Sequence, residues 1–223
     1  MTGEELSLAR KEYLFPAVFY YFRDPLVVAY AKDQYVWDAD GNQYLDFFGG
    51  IATVSVGHCN PVVNARVHEQ LDRLQHVSAV FTTEPQVALA QKVASLTPHG
   101  RLTKFFFTNS GTEANETAML AAQCYAGASD IVALRYAYHG RSLAAMSVTG
   151  QSACRLGGVS APSVIHAHNA YCYRCPFHLT YPNCDLACAR DLENAIQTST
   201  SGRIAALIAE PIQGVAGVIT PTP

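Results

Sequence analysis

Charge is scarce in this sequence. Asp, Glu, Lys and Arg make up 15% of its 223 residues, against roughly 25% in an ordinary soluble domain. Much of the chain is therefore expected to be buried, or covered by a partner. The four lysines (Lys11, Lys32, Lys92 and Lys104) are scattered, and no basic run accompanies the net charge of −3. That argues against nucleic acid as a partner. No apolar stretch reaches about 18 residues, so no membrane-spanning helix is expected. Residues 1–11 carry Glu4 and Glu5 and lack an apolar core, unlike a secretory signal or a good transit peptide. Cysteines number seven. An odd count without a secretory signal favours a reducing, cytoplasmic setting.

What is present is apolar. Hydrophobic residues make up 49% of the chain, enough to exclude intrinsic disorder. The length suits one large domain or two small ones. Glu4 to Tyr13 suits a helix, and residues 15–21 are rich in aromatics. Residues 35–37 and 43–47 alternate apolar and polar around an Asp40-Gly41 pair, which reads as a hairpin. Residues 62–75 and 84–96 have helical spacing. From residue 104 short apolar runs at 104–108, 131–135, 163–166 and 203–209 alternate with helical stretches at 113–126, 140–148 and 191–198. Apolar strands alternating with helices predict an α/β domain with a mostly parallel sheet flanked by helices.

In such sheets ligands sit beyond the carboxyl ends of the strands. Three polar clusters fall there: 108–115, 136–141 and 210–214. In the first, Ser110-Gly111-Thr112 leads straight into a helix. Free amides and the helix dipole at such a start attract a phosphate, and Gly111 permits its close approach. Ser110 and Glu113 also make a plain capping box. The cluster is neither a Walker loop nor a dinucleotide-binding glycine motif, so nucleotide binding is not indicated. In the second, Tyr138 can stack on a flat heterocycle and His139 can relay a proton, or both are simply core residues. In the third, Glu210 ends a buried strand and needs a partner. It either anchors a site or caps backbone. Gln213 either binds a ligand or holds the turn before Gly214. Cys172, Cys175, Cys184 and Cys188, with three histidines nearby, have the residue types of a zinc or iron–sulfur site, but their spacing is not finger-like and no metal is assigned to them.

Taken in order, these residues resemble the class III aminotransferases, pyridoxal-phosphate enzymes of fold type I. The resemblance runs from Val36-Trp37-Asp38 to Asp46, through Gly57-His58-Cys59-Asn60-Pro61, the specific Ser110-Gly111-Thr112-Glu113-Ala114-Asn115 run and Tyr138-His139-Gly140, to Glu210-Pro211-Ile212-Gln213-Gly214. It implies that Ser110, Gly111 and Thr112 bind the phosphate of pyridoxal 5'-phosphate. It implies that Tyr138 stacks on the ring with His139 beside it, and that Glu210 supports the cofactor side. Gly49, Gly50 and Ile51 are expected on the substrate side. The implied reaction moves an amino group from an amino acid to a 2-oxo acid such as glyoxylate or pyruvate, in a homodimer. An aminomutase, racemase or phospho-lyase reaction on the same scaffold is the alternative, as is a non-catalytic phosphate- or metal-binding product. The cysteine-rich stretch resembles the alanine–glyoxylate branch. Val215 stands where ornithine- and 4-aminobutyrate-type members have a gating Glu, which disfavours those substrates. Residues 1–60 are expected as an N-terminal segment with part of a small domain, and 61–223 as an incomplete cofactor-binding large domain. No lysine here has the context of the Schiff-base lysine. The chain is thus expected to be a truncated one, inactive alone. A mitochondrial location is reserved for members with a presequence.

Overall fold

A computed structural model describes residues 1–16, 22–157 and 163–222. Most of the aromatic stretch 15–21 lies outside them. The chain packs as two compact units, Met1–Val93 and Ala94–Pro223.

The first unit opens with α1 (Gly3–Tyr13). Its start is a reciprocal capping box: Thr2 Oγ1 accepts from the Glu5 amide, and Glu5 accepts from the Thr2 amide. Glu4 and Glu5 at the start, with Arg10 and Lys11 at the end, complement the helix dipole. Next comes an antiparallel meander, β1 (Val28–Lys32), β2 (Tyr35–Asp38) and β3 (Gln43–Leu45). The expected hairpin is β2–β3, with Tyr35 opposite Leu45 and Trp37 opposite Gln43. Its turn is organised by Asp38, whose carboxylate accepts from the amides of Asp40 and Asn42, the Asn42 side chain and the Tyr44 hydroxyl. Those donors hold the Asp38 carboxyl below its usual range. Strand β1 was not expected, although Asp24-Pro25 stands before its run as a turn signal. A tight turn, α2 (Gly49–Ala52), follows, then α3 (Pro61–Arg73) and α4 (Glu84–Leu96). Asn60 caps α3 by accepting from the amides of Val62 and Val63, and Pro61 takes the position where no amide is needed.

The second unit is α/β. It contains α5 (Gly111–Ala126), β4 (Asp130–Leu134), α6 (Leu143–Val148), β5 (Val164–Ala167), α7 (Ala187–Ser199) and β6 (Ile204–Ile208). The sheet is parallel, in the order β5-β4-β6. Central β4 is buried on both faces, with Val132 and Ala133 fully enclosed, as a helix-covered parallel strand must be. Met119 of α5 and Val148 of α6 pack with Ile131 and Ala133 to form the core. At the foot of the sheet Asp130 accepts from the amide and hydroxyl of Ser201, fixing where β6 begins.

One expected strand is missing: residues 104–108 form no strand. An apolar run needs a neighbour for its ladder, and the described residues offer it none. Phe106 is accordingly 77% exposed. No described helix is long and apolar enough to cross a membrane.

Candidate active site

The carboxyl ends of β4 and β6, the start of α5 and the segment after β5 meet in the second unit. Ser110 is the N-cap of α5, and its Oγ accepts from the Glu113 amide at 3.1 Å. The capping box is only half made. Glu113 reaches past Ser110 to the Asn109 amide at 2.8 Å and its side chain at 3.2 Å. Among the described residues the amides of Gly111 and Thr112 have no acceptor. A Cβ built on Gly111 meets nothing within 4 Å. The Thr112 hydroxyl instead lies against the 140–141 loop. It accepts from the Arg141 amide at 3.4 Å, and a Cβ on Gly140 would come within 2.4 Å of it. Gly140, at φ +134°, is therefore required on two counts.

The loop after β4 is tied to the loop after β6 by one carboxylate. Glu210 accepts from the Tyr138 amide at 2.7 Å and, through its other oxygen, from the Gly214 amide at 3.1 Å. Of the two expectations for Glu210, backbone capping describes its contacts. Gln213 is buried and also holds backbone. It donates to the Arg135 carbonyl at 2.9 Å and accepts from Asn169, beyond β5, at 2.5 Å. These bonds join the ends of all three strands.

His139 is buried. Its amide donates to Thr149 Oγ1 at 3.0 Å, and its carbonyl accepts from Asn115 of α5 at 2.8 Å. Its ring Nε2 has no hydrogen-bond partner among the described residues. Burial pushes its pKa down, partly offset by the charge of Glu210, so the ring is neutral near pH 7. Thr149 and Asn169 were not singled out as functional from the sequence, and Asn115 was read only as part of the 110–115 run. Their value lies in long-range contacts.

Gly49, Gly50 and Ile51 lie in the first unit. Gly49, Gly50, Ile51 and Ala52 all have positive φ, 52°, 61°, 62° and 58°. The segment is one left-handed turn, closed by bonds from Ala52 to the Phe48 carbonyl and from Thr53 and Val54 to that of Gly49. The glycines adopt it freely. For Ile51 and Ala52 it costs roughly 1–2 kcal/mol each. Asp46 grips its start, accepting from the amides of Phe48 and Gly49 at 2.8 and 2.9 Å.

The four cysteines at 172, 175, 184 and 188 line one small cavity of about 20 Å³ with Tyr171 and Phe177. Burial, with Cys172 and Cys175 nearby, pushes the Cys188 thiol up. Among the described residues no three histidine, cysteine or acidic side chains are placed to hold a metal ion.

The helix-flanked parallel sheet is a fold shared with pyridoxal-phosphate-dependent transaminases. The structure is similar to an (S)-enantioselective omega-transaminase from Thermomicrobium roseum (TM-score 0.88, 35% identity), covering 99% of this chain and 52% of that one. It is also similar to a taurine:2-oxoglutarate aminotransferase from Bifidobacterium kashiwanohense, solved with PLP and glutamate (TM-score 0.86, 28% identity, 99% and 50% covered). The family model for Aminotransferase class-III matches residues 21–223, and the chain belongs to that family. It is 44% identical to alanine–glyoxylate aminotransferase 2 homolog 2, mitochondrial, of Arabidopsis thaliana, over all of this chain and 45% of that protein. It is 34% identical to the acetylornithine aminotransferase of Methanothermobacter thermautotrophicus, over 99% of this chain and 50% of that one. The chain thus spans about half the length of the curated relatives it matches.

Proposed function

We propose that these residues supply the phosphate site and ring pocket of a pyridoxal-phosphate-dependent transaminase that moves an amino group from alanine or an ω-amino acid to glyoxylate or pyruvate. The observation that carries the reading is the start of α5, where two unbonded amides flank a glycine with open space above it. That cradle fits a phosphate monoester, and the orphaned Nε2 of His139 fits a polar group on a ring held nearby. When bound, the cofactor supplies an electron sink for the donor carbon.

The protein's own work is positioning. Ser110 and the amides of Gly111 and Thr112 hold the phosphate. Tyr138 faces the ring, and Glu210 keeps the Tyr138 backbone in place. His139, kept neutral, offers a ring nitrogen as donor or acceptor. Gly49, Gly50 and Ile51 border the substrate. Val215 in place of a gating Glu, and the likeness to an alanine–glyoxylate relative, support alanine or ω-amino donors. Lys11, Lys32, Lys92 and Lys104 lie in α1, β1, α4 and ahead of α5. None stands on the strand-end loops, so amino transfer needs a lysine from outside these residues and the chain alone is inactive. Residues 61–223 then contribute to the cofactor-binding domain and 1–60 to the small one. The low charge content of the chain supports a homodimer, in which a partner covers part of the surface. A cytoplasmic setting is favoured by the free cysteines, although the Arabidopsis relative is named mitochondrial.

The test is titration of the purified chain with pyridoxal 5'-phosphate and with pyridoxal. Saturable binding of the first, at least tenfold tighter than the second and competed by inorganic phosphate, is expected. Equal affinity for both would remove the phosphate site.

A further inference from the structure

His58 meets the carboxylate that holds the left-handed turn. Its Nε2 lies 2.7 Å from Asp46 Oδ2, while Asp46 Oδ1 accepts from Phe48 and Gly49. Each oxygen of Asp46 thus has its own task, one gripping the turn and one gripping His58. His58 is itself fixed in place, because its amide and carbonyl exchange hydrogen bonds with Asp33 at 2.8 and 2.9 Å. Gly57 lets these backbones approach: a Cβ there would sit 3.2 Å from the Asp33 Cα. The Asp46 amide donates to the Gln34 carbonyl at 2.8 Å, anchoring the same carboxylate to the β1–β2 connection. The pair is mostly shielded, with side-chain exposures of 21% for His58 and 12% for Asp46.

The turn it holds does not favour its own shape. Ile51 is β-branched, exposed and left-handed, and Ala52 is also left-handed, conformations that persist only when their surroundings enforce them. Inside the turn the enforcing bonds are three backbone contacts and the Thr53 hydroxyl on the Gly50 carbonyl. The only side chain from before the turn that grips its first amides is Asp46, among the described residues.

We propose that Asp46 and His58 are positioning residues: a latch that keeps residues 49–52 in their left-handed form and so shapes the substrate side of the site. This rests on the reading of Gly49, Gly50 and Ile51 as substrate-side. Without His58 the carboxylate is free to rotate, the Phe48 and Gly49 amides lose their acceptor, and Ile51 relaxes to negative φ.

The test has two readouts. The first is amide hydrogen exchange of the purified protein, which needs no activity. His58→Phe keeps a ring but removes the nitrogen, and should speed exchange at Phe48, Gly49 and Thr53 at least tenfold while the β2–β3 hairpin stays protected. His58→Gln, which restores a donor, should recover most of that protection. Unchanged exchange at 48–53 in His58→Phe overturns the latch and leaves the substrate-side reading intact. Should His58→Phe also lose the hairpin, Asp46→Ala, which removes both the acceptor for the turn and the partner of His58, carries the same test. Unchanged rates at Phe48 and Gly49, in a chain whose hairpin remains protected, overturn the latch. The second readout is the assembled enzyme. There His58→Phe should raise KM for the amino donor about tenfold with little change in cofactor affinity. A loosened turn with an unaltered donor KM would overturn the substrate-side reading rather than the latch.

Discussion

Glu210 Oε1 accepts the amide hydrogen of Tyr138 at 2.7 Å, across 72 positions of sequence. The bond places the end of one parallel strand against the loop leaving its neighbour, and the second carboxylate oxygen holds Gly214. Replacing Glu210 with Ala leaves two backbone donors without acceptors, which costs about 1–3 kcal/mol. Glu210→Gln keeps one acceptor and should lose about half as much. Urea unfolding of the two variants beside the parent checks the order, and a Glu210→Ala chain as stable as the parent would refute it.

Gly111 separates folding from cofactor binding. No atom lies where an alanine Cβ would go, and φ there is not positive. Gly111→Ala should therefore be neutral or stabilising by up to about 1 kcal/mol. Gly111→Leu should fold as well but bring its side chain over the free amides, weakening pyridoxal 5'-phosphate binding at least tenfold. Thermal unfolding and cofactor titration on the same samples test both halves.

Gly150 behaves in the opposite way. A Cβ there would lie 2.5 Å from the Leu134 carbonyl oxygen and 2.7 Å from the Tyr136 amide nitrogen. Both are backbone atoms at the end of β4 and cannot swing aside. Gly150→Ala should cost more than about 2 kcal/mol, in the range of overpacked cores, and should displace the Tyr138 loop. A denaturant midpoint shifted by less than that of Gly111→Leu would contradict the packing.

Acid should weaken the fold before it reaches the carboxylates. Burial lowers the pKa of His139 and, with help from Arg155, that of His166. The unfolded chain then takes up protons more readily than the folded one. Stability is complete above the ordinary histidine value of about 6.5 and falls as pH drops through it toward the depressed folded values. Urea midpoints measured from pH 7.5 to 5.5 should decline, and His139→Gln should flatten part of that slope.

Much of the fold was legible because it rests on local signals. The Asp40-Gly41 turn and the apolar runs of β4 and β6 each act within a few residues of themselves. The strand expected at 104–108 fails because a ladder depends on a neighbour, and periodicity does not report whether one is there. Of the site, the start of α5 at Ser110-Gly111-Thr112 was legible as a helix start, and Ser110 is its N-cap, although no strand leads into it. The contacts of Glu210, Gln213 and Thr149 were not legible, since each partner lies far away in sequence or follows no periodic rule. The left-handed turn at 49–52 escaped for a related reason: two glycines announce freedom, while Ile51 and Ala52 give no hint that they share the conformation.

With β4 in the middle of a three-stranded sheet, β5 and β6 each offer an unpaired side among the described residues. Leu207, in β6, is also 46% exposed. Bare strand margins of this kind recruit whatever extended peptide is at hand. At high concentration this polypeptide should therefore self-associate through its sheet, giving cross-strand oligomers that dissolve on dilution or on addition of a short capping peptide.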